Sequence, residues 1–224
     1  WIGAYMRLLD EDLGQLRVKI SNMAQAATRM FIYSIDSLIN KDLELAQKVK
    51  ELDDEVDALD NDIDEFCANL IALRWPLAED LRIVLSALKI NTFLERIADN
   101  ATNIAEWVEK IDFVDFRVDT SEISNMKDKT IIMLETALDS FFSKDYSKAI
   151  SVIKSDDYVD KCELSIIKEM AQMTNEQNAS ILTIPMIFIA RAIERIADEA
   201  TNIAELSLYI ATGEIFKHKR IKDL

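Results

Sequence analysis

Apolar residues recur every three to four positions along nearly the whole chain, interrupted by a few short polar or proline-containing stretches. Leu16, Ile20, Met23, Ala27, Met30 and Ile35 keep this spacing and predict a first helix from about Glu11 to Ile39. Asn40-Lys-Asp breaks the pattern, and either Asn40 or Asp42 is placed to cap a second helix. That helix carries Leu45, Val49, Leu52, Val56, Leu59, Ile63, Phe66 and Leu70 on one stripe. Trp75-Pro76 ends it. Pro76 is expected in the first turn of a third helix, where Glu79 and Asp80 suit the helix dipole, and that helix runs to about Ile111. Residues 113–119 then form a bridge, with Asp119 and Glu122 resembling a reciprocal N-terminal cap. A last loop is expected over Asn175 to Ser180, with Pro185 early in the final helix.

The second half of this pattern copies the first. ISNM at 20–23 returns at 123–126, and the same offset of 103 pairs Asp53 with Asp156, Asp54 with Asp157 and Asp57 with Asp160. ERIADNATNIAE at 95–106 returns as ERIADEATNIAE at 194–205, now at an offset of 99, with only Asn100 and Glu199 different. The chain is a tandem duplication. Its expected fold is all-α: two antiparallel three-helix bundles in sequence, over residues 1–112 and 119–216.

Composition sharpens this picture. Three glycines and two prolines in 224 residues leave too few turn formers for a β-rich fold. The net charge of −15 excludes sequence-independent nucleic-acid binding, which needs basic groups to neutralise phosphates, and it disfavours anionic lipid. The longest apolar run, Ile181 to Ile193, is too short to span a bilayer and is interrupted by Thr183, Pro185 and Arg191. No signal peptide is expected, and the leading Trp1 points to a trimmed start. Cys67 and Cys162 make no metal-binding spacing and read as small buried hydrophobes of a reducing compartment. His218 lies in a basic tail, KHKRIK, away from the acidic motifs.

The candidate chemistry lies in paired carboxylates. Each copy has an acidic residue four positions before an aspartate on two helices: Asp53/Asp57 and Glu95/Asp99, then Asp156/Asp160 and Glu194/Asp198. Residues four apart are helix neighbours, so each pair aims two carboxylates the same way at a repulsion of about 0.2–0.5 kcal/mol. Two adjacent helices bring four such groups to one patch. Asn103 and Asn202 add a neutral oxygen one turn on. An all-oxygen set suits hard cations, Mg²⁺, Mn²⁺ or iron, more than zinc. The competing reading is a solvated acidic face, ordinary in a chain with 30% charged residues; the recurrence of the pairs in both copies favours a ligand set.

The doubled motif E-R-I-A-D-x-A-T-N-I-A-E also resembles the signature of the PhoU family of phosphate-transport regulators, which usually reads E-R-I-G-D-x-A-x-N-I-A-E. ALRWPLAEDLR at 72–82 resembles that family's R-x-P-x-A-x-D-L-R stretch, and the acidic start DED at 10–12 fits its opening. The resemblance covers nearly the whole chain. It implies two tandem three-helix bundles acting as a cytoplasmic negative regulator of phosphate-starvation signalling. The implied partners are the ATPase of a phosphate ABC transporter and a phosphate-sensing histidine kinase, with homodimer formation a further expectation. It also implies metal binding, including multinuclear iron, through Asp53, Asp57, Glu95, Asp99, Asp156, Asp160, Glu194 and Asp198. Two departures leave the metal open: Ala98 and Ala197 replace the usual glycine, and Asn100 and Glu199 stand where histidine is common.

Two rival readings remain. A carboxylate-bridged di-metal enzyme of the helical-bundle kind uses Glu-x-x-His pairs, and the one histidine lies outside both motifs. A metal-free scaffold would use the acidic surface only to dock on basic partners. Phosphate is not expected as a direct ligand, because no glycine-rich loop or arginine cluster is visible. Trp75 and Trp107 read as packing residues at bundle ends. Arg74, Asp80 and Arg82 read equally as partner contacts or as surface ion pairs.

Overall fold

The computed structural model describes residues 2–111, 113, 119–173 and 179–214, and every regular element among them is helical. In chain order these are α1 (Ile2–Asn40), α2 (Leu43–Glu51), α3 (Asp53–Arg74), α4 (Ala78–Val108), α5 (Ser121–Ser143), α6 (Tyr146–Met173) and α7 (Ala179–Thr212). α1, the α2–α3 pair and α4 form one antiparallel bundle; α5, α6 and α7 form the second. The expected all-α duplication is what the chain adopts. The basic tail and most of the bridge and last loop lie outside the described residues.

Several boundaries differ from the periodicity. α1 begins at Ile2, nine residues before Glu11. Pro76 lies outside α4, which starts at Ala78, so Leu77 and not the proline occupies the N-cap position. The second helix of the first copy is split at Leu52, whose amide turns back to both the Lys48 and Val49 carbonyls at 3.2 Å. Lys48 and Lys50 close α2, and Asp53, Asp54 and Glu55 open α3, so each charge sits at the helix end that favours its sign. In the unbroken α6 the counterparts of Lys48, Lys50 and Glu55 are Ser151, Ile153 and Tyr158, which carry no such bias.

The first corner of each copy is built alike. Lys41 and Lys144 both take φ 55°, and the amides of Asp42 and Asp145 return to the carbonyls of Ser37 and Ser140. Asp42 Oδ1 then caps α2 by accepting from the Leu45 amide at 3.0 Å, while Asp145 Oδ1 accepts from the Ser147 amide at 2.9 Å. Asn40 is not the cap. At the start of α5, Asp119 Oδ1 accepts from the Ser121 amide at 2.9 Å, which lowers its carboxyl below the usual range.

The two bundles join along α4 and α7, which run antiparallel. Trp107 stacks on Phe188 at 4.5 Å, Arg96 reaches Glu199 at 3.5 Å, and Arg82 donates to the Ile210 carbonyl at 3.3 Å. Ile97, Ala98, Ala101, Ile104, Ile196, Ala197, Ala200 and Ile203 are almost fully buried behind this seam. The alanines at 98 and 197 let the helix backbones approach closely without the conformational cost of glycine. Trp107 is the packing residue expected at that position. Trp75 is not, being 76% exposed.

Candidate metal centre

The antiparallel packing of α3 on α4, and of α6 on α7, carries the acidic pairs of each copy to a common surface. In the first copy the charge of Asp57 acts on Asp53, Glu95 and Asp99 alike. Loss of water contact, and then this mutual repulsion, raises the carboxyls of Asp53, Glu95 and Asp99 above their ordinary range. Thr102 opposes the effect by donating to Asp53 Oδ1 at 3.4 Å. The four predicted carboxylates of this copy therefore act on one another across two helices, as the spacing predicts.

The second copy repeats the arrangement more deeply. Burial, then the charges of Asp198 and Asp160, pushes Asp156 up to about 6. Burial, then Asp198, Glu163, Asp160 and Asp156, pushes Glu194 up to about 7. Asp198 is raised by the same causes, with Asp160 its strongest neighbour. Thr201 opposes the effect at Asp156, as Thr102 does at Asp53, but its geometry is too poor for a full hydrogen bond to Asp156 Oδ1. A buried oxygen left so weakly partnered is costly.

Two further carboxylates join these patches. Asp60 acts on Glu95, and Glu163 acts on Glu194 and Asp198. The offset of 103 that pairs Asp57 with Asp160 also pairs Asp60 with Glu163, so the duplication itself carried the signal. In the first copy the fully buried Asn91 donates to Asp60 Oδ1 at 2.7 Å and to Asp64 Oδ1 at 3.1 Å. Nothing in the periodicity marked Asn91, which sits on the core face of α4.

Asn103 and Asn202 lie beside Asp99 and Asp198, on the side toward the other bundle. With Arg96, Asp99, Asn100, Arg195, Asp198 and Glu199 they line a groove of about 360 Å³ between α4 and α7. Asn202 Nδ2 donates to Glu199 Oε2 at 2.9 Å within it. Asp99 and Asp198 line the groove and also belong to the two patches, so the patches meet across the line between the repeats. The fold thus brings together two arginines, Arg96 and Arg195, that lie 99 residues apart in sequence.

Among the described residues no three of these groups stand close enough to clasp a metal ion as they are placed. The donor chemistry nevertheless fits a hard cation, because every group in the two sets is an oxygen donor and burial with mutual repulsion raises Asp53, Glu95, Asp99, Asp156, Glu194 and Asp198. Asp53, Asp57, Asp60, Glu95 and Asp99 would hold it in the first copy. Asp156, Asp160, Glu163, Glu194 and Asp198 would hold it in the second. The cysteines do not contribute: Cys67 and Cys162 are buried, and burial pushes the Cys67 thiol up to about 12.

The PhoU domain pattern matches residues 20–108 and 123–207. The chain is 36% identical to the phosphate-specific transport system accessory protein PhoU homolog of Zymomonas mobilis, over the whole of this chain and 95% of that protein. It is 34% identical to the homolog of the same description from Rhizobium meliloti, over 97% of this chain and 93% of that one. Its fold matches the crystal structure of PhoU from Pseudomonas aeruginosa with a TM-score of 0.86 and 30% identity, covering 92% of this chain and 99% of the other. The PhoU structure from Streptococcus pneumoniae gives a TM-score of 0.87 at 27% identity, covering 92% and 98%.

Proposed function

The chain belongs to the PhoU family, and from that premise we propose that it is a metal-dependent negative regulator attached to a phosphate transport system. Relatives that it matches over nearly their whole length are described as accessory proteins of phosphate-specific transport. On this reading the chain contacts the transporter's ATPase and a phosphate-sensing histidine kinase from the cytoplasm, alone or as a homodimer. Among the described residues no helix is long and apolar enough to cross a membrane.

The observation that supports the metal part is the set of partly buried, mutually repelling carboxylates of Asp156, Glu194 and Asp198, with Asp160 acting on all three. A bound Mg²⁺, Mn²⁺ or iron ion would supply the positive charge that cancels that repulsion. The residues of the chain do the rest. Asp156 and Asp160 from α6 and Glu194 and Asp198 from α7 would hold the ion, and the raised carboxyls of Asp156, Glu194 and Asp198 would give up protons to do so. Ligands from both helices would link α6 to α7. Because Asp99 and Asp198 also line the α4–α7 groove, the charge state of both patches is felt where the bundles meet. That gives a physical route from ion occupancy to the surface offered to partners.

Metal analysis of protein purified without chelator tests the proposal, together with co-purification of the transporter ATPase. Bound Mg²⁺, Mn²⁺ or iron and retention of the ATPase are expected. Metal-free protein that shows no thermal shift with any of the three ions rejects the metal part. Failure to retain the ATPase or the kinase rejects the regulatory part.

A further inference from the structure

The groove between α4 and α7 holds a duplicated set of donors of which one half is filled from within. The offset of 99 pairs Arg96 with Arg195, Asn103 with Asn202 and Asn100 with Glu199, and all six side chains line the groove. In one half the Glu199 side chain is 12% exposed, and its carboxylate is held by donors from both helices. Arg96 Nη1 reaches Oε1 at 3.5 Å, and Asn202 Nδ2 donates to Oε2 at 2.9 Å. A carboxylate so far withdrawn from water depends on such donors. In the other half position 100 is asparagine, and its Nδ2 turns back to the Arg96 carbonyl at 2.7 Å. Arg195 and Asn103 therefore repeat the donor pair that holds Glu199, with no carboxylate supplied to them. Both are exposed, and Arg195 enters no ion pair among the described residues.

The charges of the groove set the condition for filling that half. Two arginines, Arg96 and Arg195, face three carboxylates, Asp99, Asp198 and Glu199. Glu106 and Glu205, one turn beyond the two asparagines, do not line it. In the metal-free protein an added anion would meet Asp99 and Asp198 without compensation. On the cation reading proposed above, these two aspartates belong to the patches that hold the ions. A divalent ion at either patch reverses the net sign around the groove. Anion and cation then stabilise one another, and by linkage each raises the affinity of the other by the same factor.

We infer that Arg195 and Asn103 form a subsite for a small oxyanion, inorganic phosphate or a free carboxylate, in the place that Glu199 fills across the seam. The coupling to the acidic patches rests on the cation reading; the subsite itself rests on the donor pair. A groove of about 360 Å³ has room for either anion. Asn103 belongs to α4 and Arg195 to α7, so an anion held by both ties the two bundles together. The Glu199 contacts already do this in the filled half.

The test is a calorimetric titration of Mn²⁺-loaded and of chelator-stripped protein with inorganic phosphate and, separately, with acetate. The tighter of the two probes tells a phosphate site from a carboxylate site. The loaded wild type is expected to take one anion per chain, and the stripped protein to bind it at least tenfold more weakly. Asn100→Glu supplies the missing carboxylate from within and should lose anion binding at least tenfold with Mn²⁺ still bound. Arg195→Gln should lose it likewise, and Glu199→Asn should open the second half and raise the count to two. Circular dichroism confirms the helices of each variant. Wild-type anion affinity in both Asn100→Glu and Arg195→Gln overturns the subsite and assigns the anion to the bound ion itself. No anion binding in either state also overturns it, while Mn²⁺ uptake in the same samples keeps the cation reading. Equal anion affinity with and without Mn²⁺ overturns the coupling. Anion binding that Asn100→Glu abolishes, in a protein that takes up no Mn²⁺, supports the subsite and removes the cation reading.

Discussion

In the first acidic patch Thr102 donates to Asp53, and Asn91 donates to both Asp60 and Asp64. In the second, Thr201 acts on Asp156 as Thr102 does on Asp53, but Ala190, which offers no donor, stands at the position of Asn91. The backbone differs as well: Asp53 opens α3 at a helix break, while Asp156 lies inside the unbroken α6. A helix N-terminus stabilises a carboxylate, and a helix interior does not. One duplicated motif has thus given two patches of unequal cost. The first copy satisfies part of its negative charge with its own donors. The second has exposed Arg191 reaching Glu163 at 3.7 Å and buries Asp156 and Glu194 more deeply, so it should respond to a cation more strongly.

The largest test of this inequality exchanges charge for shape. Asp156→Asn with Glu194→Gln should remove cation binding at the second patch and raise the melting temperature of the metal-free protein. The matched pair Asp53→Asn with Glu95→Gln should raise it less. Scanning calorimetry in chelator measures both, and equal shifts would erase the difference between the patches.

Removing the donor from the first patch should make it resemble the second. Asn91→Ala strips Asp60 and Asp64 of a fully buried partner and should destabilise the chain by about 1–3 kcal/mol in urea unfolding. The thermal shift on adding Mn²⁺ should rise at the same time, because the freed carboxylates then gain more from a cation.

The patches also set a pH dependence whose sign is fixed. Asp156 and Glu194 move from ordinary values of 3.8 and 4.5 up to about 6 and about 7, so the folded chain keeps protons that the unfolded chain has released. Stability from these groups is full below their unfolded values and is lost as pH rises through the folded ones. The metal-free melting temperature should therefore fall between about pH 5 and about pH 8, and saturating Mn²⁺ should flatten the fall. A metal-free protein that gains stability across that interval would contradict the assignment.

The smallest effect concerns the seam. Glu199→Asn restores the symmetry of the two motifs and removes the Arg96 contact at 3.5 Å. Half-exposed Arg96 makes this a weak pair, so the cost in urea unfolding should stay below about 1 kcal/mol.

How much of this was legible in the sequence depends on which periodicity carried the signal. Helical spacing placed the core stripes, and the repeat offsets placed both acidic sets, because neighbours on a helix surface follow from residue number alone. The offset also contained Asp60 and Glu163, which a search limited to pairs four apart passed over. Asn91 was invisible for a different reason: its role depends on a carboxylate 31 residues away across a helix interface. The break at Leu52 depends on charges favouring two opposed helix ends, which an unbroken apolar stripe conceals. Trp75 followed the general preference of tryptophan for packing, and the backbone turn at φ 43° overrode it. The meeting of Arg96 and Arg195 required the antiparallel crossing of α4 and α7, which no local pattern encodes.

The most direct measurement is a calorimetric titration of chelator-stripped protein with Mn²⁺ near neutral pH, repeated in buffers of different ionisation enthalpy. Two classes of site are predicted, one of them releasing protons on binding and absent from the Asp156→Asn, Glu194→Gln variant. A single class that survives in that variant, or no heat and no change in melting temperature with Mn²⁺, Mg²⁺ or Fe²⁺, would contradict the paired-patch account.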